Sequence, residues 1–164
     1  MKTVLRWLWF TARGVAAVEF AITLPLLVIF LGGVTDFGII YYRQSCLSTA
    51  VAAGAQYANL IDQRSPPVTA ANIQTVMTGA AAQSMPSATV TPTASNPALC
   101  YCITGSSPSS TLTTATCGAA CASGGTAGKY VQLTLTTNYT PIFPTLSRVI
   151  GTQTLSKTAW VPLQ

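Results

Sequence analysis

The chain has 164 residues, of which 49% are hydrophobic and only 7% charged, far from the roughly 25% charged residues of a usual soluble domain. It contains no histidine, and its only side-chain acids are Glu19, Asp36 and Asp62. That excludes imidazole metal ligands, the usual proton shuttles and paired carboxylates, so neither enzymatic activity, a metal site nor a cofactor is expected. The net charge of +5 is concentrated at the start, where Lys2, Arg6 and Arg13 fall within 13 residues. From Val15 onward five basic residues face three acidic ones without clustering, which argues against the basic stripe that nucleic-acid binding requires.

Residues 15–40, VAAVEFAITLPLLVIFLGGVTDFGII, form an apolar run broken only by Glu19, Thr23, Pro25, Thr35 and Asp36. As a helix they would extend about 39 Å, enough to cross a hydrocarbon core of about 30 Å. The run is too long for a cleaved signal peptide, whose basic start it shares. Basic residues precede it and only Arg43 follows closely, so the positive-inside rule places the N-terminus in the cytoplasm and the remainder outside. Asp36, near the outer end, is expected at the interface or in a helix packing contact.

Leu47, Val51, Gly54, Ala58 and Ile61 repeat at spacings of three and four, which extends the helix to about Asp62, with Ser65-Pro66-Pro67 as its stop. Thr69 can cap a second helix that ends before Pro86 and shares Ile73, Val76, Met77, Ala80 and Ala81 on one face. Its apolar side suggests packing against a sheet. Val131, Leu133 and Leu135 alternate with Gln132, Thr134 and Thr136 in a half-buried strand over Tyr130–Tyr139. Ala88–Thr91 and Thr154–Val161 are weaker strand candidates, and Pro141–Pro144 is a turn or connector. Residues 65–128 hold no Asp, Glu, Lys or Arg, and residues 84–128 hold 17 Ser or Thr, so much of this region is expected to be loop.

Four cysteines lie in that region: Cys100 and Cys102 in CYC, then Cys117 and Cys121 in CGAAC. Outside the cytoplasm an even cluster reads as two disulfides with three possible pairings. Zinc is the alternative, although C-x-C with C-x3-C departs from common zinc-ribbon spacing. Thiol-redox catalysis lacks its C-x-x-C motif. Cys46 is left over as a small packing residue, an intersubunit disulfide or a lipidated thiol.

The junction ARGVAAVEFAITLPLL, with Gly14 five positions before Glu19, resembles the processing site of type IV pilin-like proteins. More specifically, Glu19-Phe20, Leu24-Pro25, Asp36-Phe37-Gly38, Tyr41-Tyr42 and the Ala-rich Gly54–Ala58 stretch resemble TadE-like minor pseudopilins of the tight-adherence (Flp) pilus. NYTPIFPTL and TLSKTAWV are similar to the family's closing strands. The resemblance implies cleavage between Gly14 and Val15 by a prepilin peptidase, and subunit assembly through Glu19 and Phe20. The implied partners are other pilins and pseudopilins, the inner-membrane assembly platform and the lipid bilayer.

The expected protein is therefore α+β. It has a cytoplasmic leader (1–14), an inner-membrane helix (15–40) continuing into a periplasmic helix, and a head (41–164) with a small antiparallel sheet and a disulfide-stapled loop. An uncleaved, membrane-anchored binding or adhesion module and an anchored thiol oxidoreductase are the competing readings.

Overall fold

A computed structural model describes residues 2–62, 67–105, 110–143, 148 and 151–163, with side chains in the first helix from residue 15 to 61. Two compact units emerge: residues 1–39 with 140–151, and residues 40–139 with 152–164.

Helix α1 (Lys2–Asp62) is continuous and carries Pro25 in its interior. The expected stop at Ser65 and Pro66 lies outside the described residues. Within the larger unit α1 buries Leu47, Val51, Gly54 and Ala58, four of the five positions that its spacing predicts, together with Cys46 and Ala50, while Ile61 is half-buried. Helix α2 (Ala70–Ser84) starts at Thr69, whose Oγ1 accepts the Asn72 N–H at 3.3 Å, and it buries Ile73, Met77 and Ala81. Tyr42 Oη donates to the Ser84 carbonyl at 3.2 Å, tying the end of α2 to α1.

All five strands are antiparallel: β1 (Val90–Ala94), β2 (Cys100–Thr104), β3 (Thr111–Ala115), β4 (Gly128–Tyr139) and β5 (Gln153–Pro162). Strand β4 organises the sheet. It pairs with the whole of β5, from Tyr130↔Pro162 to Tyr139↔Gln153, with β1 at Leu133–Thr137, and with the start of β2 through Lys129 and Gly128. Val131, Leu133 and Leu135 are fully buried, as their alternation requires. Thr137, next on that face, is also buried and donates its hydroxyl to the Thr89 carbonyl at 2.9 Å.

The expectation of loop across much of 84–128 is corrected in part. Strand β1 runs over Val90–Ala94 rather than Ala88–Thr91, and β2 and β3 form a five-pair hairpin, Cys100↔Ala115 to Thr104↔Thr111. Threonine is β-branched and suits a pleated surface despite its polarity. The inner side of the hairpin is built from small groups: Cys100, Cys102 and Ala127 are buried, with Ala115 and Cys121 packed against them.

Candidate assembly and membrane surface

From Val15 to Leu31 every side chain of α1 is exposed, on all faces of the helix. Phe20 is 63% exposed, Ile22 69% and Leu26 68%. A helix that is apolar all round and unburied by its own chain has the character of one that requires lipid or other helices as its surroundings. This is the one helix among the described residues long and apolar enough to cross a membrane.

The polar interruptions are handled in different ways. Thr23 and Thr35 donate their hydroxyls to the carbonyls of Glu19 and Leu31 one turn earlier, at 2.5 and 2.8 Å, which satisfies them within the helix. Asp36 is fully buried. Its Oδ1 accepts the Ile142 N–H at 3.0 Å and its Oδ2 the Phe143 N–H at 3.4 Å. These are contacts within one unit across more than 100 residues of sequence, which local pattern cannot reveal.

Of the sequence-derived site residues, Val15, Glu19 and Phe20 lie on exposed helix surface, and Gly14 is helical in backbone. Four residues separate Gly14 from Glu19, so just over one turn parts the proposed cut from the carboxylate. The side chains of Lys2, Arg6 and Arg13 lie outside the described residues.

The cysteines pair as Cys100–Cys117 and Cys102–Cys121, with Cα–Cα separations of 5.1 and 5.6 Å. With these four sulfurs paired, none is a thiolate available to zinc. The pairing follows from the hairpin: Cys100 and Cys102 point to the same side of β2, and the segment after β3 returns across it. That return is held by Gly118 N–H to the Ala127 carbonyl at 2.9 Å and by Ala127 N–H to the Ala119 carbonyl at 2.8 Å. Its turn uses Gly124 and Gly125 in succession at φ of 86° and 85°, a backbone that side chains resist. Cys46 forms no disulfide within the chain and is buried on α1.

A recess of about 360 Å³ in the larger unit is lined by hydroxyls, including Thr89, Thr91, Thr136 and Thr137, with Arg43 at its side. Arg43 is engaged: its guanidinium lies 4.9 Å from the centre of the Tyr139 ring and donates to the Asn138 carbonyl at 3.3 Å.

Residues 14–56 match the family described as TadE-like protein, about a quarter of the chain. The match runs from Gly14 through Glu19, Asp36 and Gly54, the segment whose motifs carry the resemblance. Comparisons with curated proteins and with solved structures return no match.

Proposed function

With a TadE-like segment over residues 14–56 as premise, we propose that this protein is a non-enzymatic minor pseudopilin acting in assembly or priming of a tight-adherence pilus. The observation that carries the proposal is the all-round apolar exposure of α1 from Val15 to Leu31, within the matched segment. In this reading the helix is stored in the inner membrane with its leader in the cytoplasm and the disulfide-containing unit in the periplasm. A prepilin peptidase removes residues 1–14, and the exposed helix then packs laterally against other pilin-like subunits on the assembly platform. Glu19 serves as the docking group. An unpaired carboxylate at that depth costs roughly 2 to 3 kcal/mol or more, and the α-amine released on Val15 of a neighbouring subunit supplies its partner.

The experiment is determination of the N-terminal residue of protein purified from membranes containing the host's prepilin peptidase. Val15 is expected. Met1 despite an active peptidase would favour an uncleaved anchored module. A Gly14→Leu variant should retain its leader, because the peptidase cleft must then accommodate a side chain where it now meets none.

A further inference from the structure

We infer that residues 141–143 form a second lipid-contacting element, a short loop inserted at the outer edge of the bilayer and fastened there by Asp36. The inference rests on α1 being the membrane anchor proposed above.

Irregular backbone at membrane depth is tolerated only where its polar groups are satisfied, because hydrocarbon offers them no partners. On the donor side, the segment Pro141-Ile142-Phe143-Pro144 is suited to that condition by composition. Its two prolines have no N–H to satisfy. The two remaining donors, Ile142 and Phe143, both give their N–H groups to the carboxylate of Asp36. The same two bonds offset the cost of placing an acid in the span, so each side removes the other's penalty.

Packing fixes the loop at a definite level on α1. A Cβ built on Gly32 would lie 2.9 Å from Cγ and Cδ1 of Phe143, so the ring rests directly on the helix backbone where only hydrogen leaves room. Along the helix, Asp36 lies about 32 Å beyond Val15, matching a hydrocarbon core of about 30 Å. Gly32 is one turn deeper by about 6 Å, and Phe143 descends to it. Pro141 is buried, whereas Ile142 is 65% exposed. Val34 and Phe37, flanking Asp36 on α1, are 55% and 64% exposed. Thr35, also exposed at this level, returns its hydroxyl to the Leu31 carbonyl, so the helix and the loop together offer mainly apolar surface, and its partner of matching chemistry is the acyl-chain region just below the headgroups.

The test uses the full chain in vesicles of phosphatidylethanolamine and phosphatidylglycerol, in a Cys46→Ser background with both disulfides intact. A polarity-sensitive fluorophore is attached after Ile142→Cys, Leu27→Cys or Thr114→Cys, and quenching is measured with lipids carrying a nitroxide at shallow or deep acyl positions. The Ile142 site is expected to lose at least half its emission to the shallow quencher. The Leu27 site should respond to the deep quencher and the Thr114 site to neither. Asp36→Ala should abolish quenching at 142 while leaving Leu27 quenched, and Asp36→Asn, which keeps one acceptor oxygen, should fall between. Gly32→Leu, which displaces Phe143 but spares the carboxylate, should also reduce it. Emission at 142 matching that at 114 overturns the inserted loop, and quenching at 142 unaffected by Asp36→Ala overturns its fastening by Asp36. Absence of quenching at Leu27 would instead overturn the anchor on which it rests.

Discussion

Gly54 of α1 and Met77 of α2 meet so closely that a Cβ on Gly54 would lie 2.5 Å from Met77 Cγ and 3.1 Å from its sulfur. The second helix is therefore seated on the first through a missing side chain, with Ile73 alongside at 3.4 Å from the same point. Met77 cannot relieve the clash by moving only its tip, since the closest atom is near the root of the side chain. Gly54→Val should destabilise the larger unit by about 1 to 3 kcal/mol, the usual cost of overpacking a core. Denaturant titration of the purified protein checks this. Adding Met77→Ala should recover part of the loss, and full stability of Gly54→Val alone would show that the helices part without cost.

The two disulfides join residues 17 and 19 apart. Closing loops of this length contributes roughly 3 kcal/mol each by constraining the unfolded chain. Reduction, or Cys100→Ser with Cys117→Ser, should loosen the β2–β3 hairpin first, because both disulfides tie β2 to the segment that follows β3. Hydrogen exchange should show faster exchange over β2 and β3 while the long β4–β5 ladder keeps its protection. Uniform loss of protection across all five strands would contradict this order.

Arg43 connects α1 to the end of β4 through its contact with the Tyr139 ring and its bond to the Asn138 carbonyl. Arg43→Ala should cost about 1 to 2 kcal/mol, since it removes both a cation–π contact and a hydrogen bond from a charged donor. Arg43→Lys keeps the charge but not the planar fork and should recover only part of that. Thermal unfolding of the three proteins gives the comparison, and equal melting temperatures would reduce the contact to proximity.

Glu19→Ala should be inserted and cleaved like the parent, because nothing proposed for the peptidase step depends on its carboxylate. It should fail to co-purify with partner pseudopilins or to support piliation. Membrane fractionation with co-purification distinguishes the two steps, and wild-type assembly would leave Glu19 as a tolerated polar residue.

Local pattern was enough to determine the parts of this protein that local physics controls. A 26-residue apolar run can only be a span or a core, the three-and-four spacing from Leu47 to Ile61 marks a one-sided helix, and Thr69 opens α2 where its hydroxyl can accept an orphan N–H. Val131, Leu133 and Leu135 identify β4 because a strand presents alternate residues to one side. The TadE-like segment was legible for the same reason, since its motifs lie along one continuous helix.

What tertiary structure decided are the relationships between distant residues. Four cysteines in a charge-free, hydroxyl-rich stretch allow three pairings, and only the return of residues 117–121 across β2 selects Cys100–Cys117 and Cys102–Cys121. The hairpin itself was read as loop because threonine's polarity outweighed its β-branching until cross-strand partners and a sulfur-lined inner side were present. Asp36 is the clearest case. Its sequence position placed an acid near the end of an apolar helix, but the two N–H groups that satisfy it lie 106 and 107 residues later, and hydrogen bonds over that separation exist only once the chain has folded to bring them together.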